Sequence, residues 1–246
     1  MIAANLTFPE SWRTAFNPVE KLGEGNDKTV WKVYDISSKT FKAIAKYHGI
    51  QSINIPPSFS ERQISYFREV KIQEINVMIQ REIWFLKRLA RQPNVVQLEG
   101  TLSDGIFPAL LMRYYEGGNL AIAIANNSLS RKDKERIALS LLRGLISCHE
   151  MHVSIKDLKP ANILLTSSRD AVLSDFGIAD YTKDPGCLNE NTYYLFANIL
   201  SKFFFAEDGN GYAFVQRFLQ TYNRHNCLSS KEAYKSFALA IDVNDR

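Results

Sequence analysis

Ile155-Lys156-Asp157-Leu158-Lys159-Pro160-Ala161-Asn162, running on into Ile163-Leu164-Leu165, places an acid, a base and an amide at fixed offsets in a turn before a short apolar strand. Thirteen positions after Asn162 come Asp175-Phe176-Gly177. One carboxylate can orient a hydroxyl. An amide and a second carboxylate offer oxygens that suit a hard cation. Together they form the smallest side-chain set that phosphoryl transfer requires. A chance turn can contain Asp, Lys and Asn, but the whole run with Asp-Phe-Gly at this distance is far harder to obtain by accident.

The rest of the chain sets bounds. It has 246 residues, 46% hydrophobic and 23% charged, enough for one substantial domain or two small lobes. A net charge of +4 suits phosphate ligands without indicating nucleic acid. Cys148, Cys187 and Cys227 are odd in number and widely spaced, which reads as reduced thiols in a cytoplasmic compartment rather than a disulfide frame or zinc site. The four histidines, His48, His149, His152 and His225, show no metal spacing. No run of about 18 apolar residues predicts a membrane span. Residues 1–14 lack the pattern of a cleaved secretory signal.

The periodicity predicts an irregular lead-in over residues 1–16, then two or three antiparallel strands between Val19 and Tyr47. A loop carries Pro56-Pro57. Helical spacing from Glu61 to Ala90 predicts a short helix joined to a longer one, ended by Gln92-Pro93-Asn94. Val95–Leu102 and Phe107–Tyr114 read as strands. After Glu116-Gly117-Gly118 the chain turns helical: Leu120–Asn126, a strongly amphipathic Lys132–Met151, an almost wholly apolar Asn191–Ala206, then Tyr212–Tyr222 and Ser230–Ile241.

The Asp-Leu-Lys-Pro-Ala-Asn run with Asp-Phe-Gly resembles the catalytic loop and metal motif of eukaryotic-type Ser/Thr protein kinases. The resemblance covers roughly residues 19–206. It implies an α+β, bilobal protein-kinase-like fold in a single domain over 1–246, with a β-rich N-lobe (about 17–113), a hinge (about 113–119) and a reduced α-helical C-lobe (about 120–246). Leu22-Gly23-Glu24-Gly25-Asn26-Asp27-Lys28-Thr29-Val30 looks like the glycine-rich phosphate loop, although two glycines in a hairpin also suit an ordinary turn. The pattern's third glycine is Lys28, which would stiffen the loop or add charge near the phosphates.

The resemblance implies further roles. Lys46, in Ala43-Ile44-Ala45-Lys46, would hold the α- and β-phosphates and pair with Glu82 of Gln80-Arg81-Glu82-Ile83. Ile44 would stand where the family usually has Ala against adenine. Gly23, Gly25, Val30, Met112 as gatekeeper, the backbone of Arg113 and Tyr115, Asn119 and Leu164 would contact the nucleotide. Asp157 would accept the substrate hydroxyl's proton, Lys159 would neutralise the transferred group, and Asn162 and Asp175 would ligate Mg²⁺. The cofactors implied are ATP and Mg²⁺, and the partners are a protein substrate and an activating protein, with oligomeric state left open.

The departures narrow this. The family's His-Arg before the aspartate is Ile155-Lys156. Ile155 can fill the His position in an apolar stack, whereas Lys156 lacks the bidentate fork that binds a phosphorylated activation loop. Only residues 178–190 separate Gly177 from the apolar helix, so against the family's pattern the activation loop and the Ala-Pro-Glu element read as missing, and the later helices leave no counterpart of the family's αG helix. Tyr47–Gln73 reads as an insertion. Such pared-down kinases resemble those that bacterial pathogens deliver into host cytosol, an analogy of fold only. The expectation is an active minimal Ser/Thr protein kinase without activation-loop control. The alternatives are a nucleotide-binding pseudokinase scaffold that acts through a protein partner and, more weakly, a small-molecule kinase.

Overall fold

The computed structural model describes residues 8–25, 27–48, 58–103, 105–183 and 190–200, together with Lys231 and Lys235. The chain divides into two compact units: Met1–Trp84 with Gln97–Tyr114, and Phe85–Val96 with Tyr115–Arg246.

The first unit is a five-stranded antiparallel sheet in the order β1 (Phe16–Glu24), β2 (Lys28–Asp35), β3 (Thr40–Tyr47), β5 (Pro108–Arg113), β4 (Leu98–Ser103). Thr29, Trp31, Val33 and Asp35 of β2 are buried on one face, as period-2 patterning requires of a half-covered strand. That face is covered by the lead-in. Phe8, Trp12 and Phe16 pack with Trp31, Val33, Ile44 and Ala109 into one core cluster. The expected irregular start is thus a structural lid, because three aromatics five or fewer residues apart bury more apolar area than a loop could leave in water. At the β2–β3 turn, Asp35 accepts hydrogen bonds from the Ser38 and Ser37 hydroxyls at 2.7 and 2.8 Å. The Ser38 hydroxyl is the chief cause that lowers its carboxyl to about 2.

Helix α1 (Glu61–Arg88) is one uninterrupted helix of 28 residues, not the expected pair. It contains no Gly or Pro to break it. Ser60 starts it: the Gln63 side chain accepts from the Ser60 N–H at 2.9 Å, while the Ser60 hydroxyl accepts from the Gln63 N–H at 3.4 Å. The C-terminal part of the supposed insertion, 61–73, is therefore the start of this helix; residues 49–57 lie outside the described ones.

The second unit contains α2 (Leu120–Ala125), α3 (Arg131–Glu150), β6 (Val153–Ser154), β7 (Ile163–Leu165), β8 (Ala171–Leu173), β9 (Asp180–Tyr181) and α4 (Glu190–Ile199). A Ser130–Asp133 capping box opens α3, whose buried stripe includes Ile137, Leu141, Leu145 and Cys148. Burial pushes the Cys148 thiol well above the usual range. Gly144 lets α3 approach β8: a Cβ there would lie 2.7 Å from the Asn94 carbonyl oxygen and 2.8 Å from Leu173 Cδ1. Phe196, Ala197 and Ile199 of α4 are buried. The helix predicted at Tyr212–Tyr222 and nearly all of that at Ser230–Ile241 lie outside the described residues. Among the described residues, no helix is long and apolar enough to cross a membrane.

Candidate active site

In the second unit a β-hairpin explains the thirteen-residue spacing. Strands β7 and β8 pair antiparallel with Ile163 opposite Leu173. Asn162 precedes one strand and Ser174-Asp175 follows the other, so both arrive at the same end of the ladder. There the Ser174 N–H and hydroxyl donate to the Asn162 carbonyl at 3.0 and 2.9 Å. Asp175 takes φ +65°, a left-handed conformation rare outside glycine and tolerated best by Asp and Asn.

The turn before β7 builds the acid. Pro160 opens a 3-10 turn, Pro160–Asn162, where its missing N–H costs nothing. The Asn162 side-chain NH₂ donates to the Asp157 carboxylate at 2.9 Å and to the Asp157 carbonyl at 3.1 Å. These bonds leave the amide oxygen of Asn162 as its unused end. The Lys159 ammonium lies 2.5 Å from Asp157 Oδ2, with the carboxylate side chain about one-third exposed (34%). The Asn162 amide oxygen and the Asp175 carboxylate are two hard donors, and Mg²⁺ held by a protein beside phosphates commonly takes one or two such ligands and fills its shell with water and phosphate oxygens. No group of three or more His, Cys, Asp or Glu side chains suited to a metal occurs among the described residues. The donor set thus fits a phosphate-associated Mg²⁺ and not a self-sufficient metal cage.

Before the acid, β6 pairs with β9, with Ser154 opposite Asp180. The Ile155 side chain is buried, as are Leu86 and Phe176, and its carbonyl accepts from the buried Thr192 hydroxyl at 2.9 Å. Lys156 points outward to Asp180 at 2.6 Å. The 115–119 segment runs beside β7: the Gly117 N–H donates to Leu165 O at 2.9 Å, and Asn119 bridges Leu164. A Cβ at Gly117 would stand 2.5 Å from Thr166 O, so glycine is obligatory there. The Asn119 side-chain oxygen, expected near a ribose, caps α2 by accepting from Ile122 N–H.

In the first unit, Gly23 and Gly25 lie on the β1–β2 hairpin. A Cβ on either would meet nothing closer than 3.8 Å, so the fold alone does not demand glycine. Met112 of β5 stands opposite Ala43, and the Arg113 N–H is already given to Gln97 O at 3.0 Å. One expectation is corrected. Glu82, 2% exposed, is held by the Lys28 ammonium at 3.1 and 3.2 Å and by the Tyr47 phenol, not by Lys46. The Lys46 ammonium instead stands 5.5 Å from the Trp12 ring centroid. Successive side chains of a strand point to opposite faces, so adjacent Lys46 and Tyr47 cannot both face Glu82. Ile44 shares the Lys46 face and lies in the aromatic cluster, away from the place expected for it. The sequence signal for this was the lysine standing in the third glycine position, whose reach to Glu82 no spacing rule supplied.

Residues 16–196 match the family described as Protein kinase domain. The chain is 30% identical over 182 residues to the Serine/threonine-protein kinase cds1 of Schizosaccharomyces pombe, covering 74% of this chain and 36% of that protein. It is 31% identical over 129 residues to the Arabidopsis thaliana Calcium-dependent protein kinase 11, covering 50% of this chain and 26% of the relative. With the CBL-interacting serine/threonine-protein kinase 5 of the same plant it shares 35% identity over 101 residues, 41% of this chain and 22% of the relative. The match spans little more than a third of these relatives at most. With a family match over most of its length and the Asp157, Asn162 and Asp175 constellation in place, the chain belongs to the protein kinase family, beside relatives of the Ser/Thr type.

Proposed function

We propose that this chain transfers the γ-phosphoryl group of ATP, with Mg²⁺, to a Ser or Thr hydroxyl of a protein. The observation that carries the proposal is the Asp157 carboxylate, anchored by Asn162 at 2.9 Å and Lys159 at 2.5 Å yet still partly open to solvent. Asp157 orients the incoming hydroxyl and takes its proton as the oxygen bonds to phosphorus and ADP leaves. Lys159 offsets the charge spreading over the transferred group. The Asn162 amide oxygen and Asp175 would hold Mg²⁺, which when bound would neutralise charge on the phosphate oxygens. In the second unit, Leu164 offers apolar surface for adenine.

We also propose that transfer needs no phosphorylated loop. Lys156 already has a fixed carboxylate partner in Asp180 at 2.6 Å, where a loop phosphate would otherwise supply the charge. The test is incubation of the purified chain with radiolabelled ATP and Mg²⁺, alone and with a cell lysate, beside Asp157→Ala. Label that the variant loses by at least a thousandfold supports the proposal. Equal label from both refutes it, and saturable ATP binding without transfer selects a scaffold that acts through a partner.

A further inference from the structure

We propose that Lys28, on the β1–β2 hairpin, and not Lys46 of β3, is the lysine that grips the nucleotide phosphates, with Glu82 and Tyr47 as its positioning residues. The inference rests on the kinase reading above and on three observations about one sheet face.

The first is register. Strands β2 and β3 pair without a bulge: Lys28 opposite Tyr47, Thr29 opposite Lys46, Val30 opposite Ala45. Directly opposed residues of an antiparallel pair share a face, and alternate residues of one strand share it too. Lys28, Val30, Ala43, Ala45 and Tyr47 therefore project from one face. Met112, opposite Ala43 on β5, joins them. Lys46 and Ile44 project from the other.

The second is what covers each face. The face that carries Lys46 is covered at Ile44 by Phe8, Trp12, Phe16 and their neighbours, and the partly exposed Lys46 ammonium stands 5.5 Å from the Trp12 ring centroid. On the opposite face Lys28 and Val30 stay partly exposed. The first unit's two candidate adenine-contacting side chains, Val30 and Met112, are on that same partly open face. A cation that serves the phosphates of a nucleotide bound there has to leave the sheet on that side.

The third is the support beneath Lys28. A carboxylate as buried as Glu82 needs a partner charge and hydrogen bonds. It receives both from Lys28 at 3.1 and 3.2 Å and from the Tyr47 phenol, and the ammonium also sits 5.5 Å from the Tyr47 ring centroid. The Lys28 side chain is nevertheless 20% exposed. A three-donor ammonium pinned to a buried acid but reachable from outside is a preorganised phosphate contact. The open space around Gly23 and Gly25 lets a phosphate approach the same hairpin.

The decisive probe is an acyl-phosphate derivative of ATP. A lysine amine beside the phosphates attacks the acyl carbon, an amide forms, and the phosphate departs with ATP. Peptide mapping by mass spectrometry should find the acyl group on Lys28, suppressed by excess ATP, and Lys28→Met should remove it while Lys46→Met leaves it in place. Acylation of Lys46 with Lys28 untouched, or ATP-insensitive labelling, overturns the proposal. In the transfer assay, Lys28→Met should lose at least a hundredfold, Lys28→Arg should recover part of that, and Lys46→Met should stay within about threefold, each variant first checked for parent-like melting. A comparable loss in Lys46→Met overturns the proposal. Labelling is independent of turnover, so a chain that labels on Lys28 but transfers nothing refutes the kinase reading alone.

Discussion

Gly144 separates two physical effects that predict opposite signs. Replacing a mid-helix glycine by alanine normally stabilises by roughly 1 kcal/mol, because the unfolded chain loses backbone freedom. In α3 the added methyl would lie 2.7 Å from the Asn94 carbonyl oxygen and 2.8 Å from Leu173 Cδ1. Ordinary contacts to a Cβ begin near 3.4 Å, so α3 must retreat by about 0.7 Å from a backbone oxygen that cannot rotate away. The Asn94 carbonyl also accepts from the Leu173 N–H at 2.9 Å, which ties it to β8. Overpacking costs about 1–3 kcal/mol, and a clash with fixed backbone belongs at the upper end. The net expectation for Gly144→Ala is about 2 kcal/mol of destabilisation, a fall of roughly 4–8 °C in melting temperature at 2–4 °C per kcal/mol. Because β8 leads directly into Asp175, phosphoryl transfer should also fall. Thermal unfolding followed by circular dichroism, with transfer measured well below the melting point, checks both. A variant that melts higher than its parent would show that α3 does not rest against Asn94 and Leu173 as described.

Other outcomes follow from the same packing. Trp12→Ala should cost about 3–5 kcal/mol, as for other buried large aromatics, which denaturant titration would measure; a loss under 1 kcal/mol would mean the lead-in does not seal the sheet. Burial lowers His149 to about 4 from 6.5. The unfolded chain therefore takes up a proton between those values that the folded one refuses, so stability falls as pH drops from 6.5 towards 4. Melting curves across that range should flatten in His149→Gln; an unchanged slope would remove His149 as the cause. Asp180→Asn should change stability by less than about 1 kcal/mol, because Lys156 and Asp180 are both half-exposed. It should also test whether their pair stands in for a phosphorylated loop: a drop in transfer of tenfold or more would support that role, and an unchanged rate would count against it.

The structure of the 157–162 turn was legible because its interactions are local. Asp157, Lys159, Pro160 and Asn162 sit within six residues, and their hydrogen bonds close inside that turn. The amphipathic α3 was equally legible from its stripe, which placed it at Lys132–Met151 against the observed Arg131–Glu150. The partner of Glu82 was not. Its alternatives, Lys28 and Lys46, lie far away in sequence, and which one reaches it depends on the face that β3 turns inward. In Ala43-Ile44-Ala45 every residue is buried, so alternation carries no in-out signal at the place where it was needed. The lead-in was read as irregular, but its packing was hidden for a related reason: Phe8, Trp12 and Phe16 follow no strand or helix period, and only the sheet they cover makes them a unit.

The β7–β8 hairpin changes which quantity in this sequence must stay constant. Asn162 and Asp175 are tied by ladder register, not by the number of residues between them. Extra residues in the Thr166–Asp170 turn would be absorbed at the far end and leave the two donors where they are. One residue added within β7 or β8 would turn a donor to the opposite face. Length variation at the turn should therefore be neutral, and a single-residue slip in either three-residue strand should abolish the proposed metal binding while leaving every candidate site residue present in the sequence.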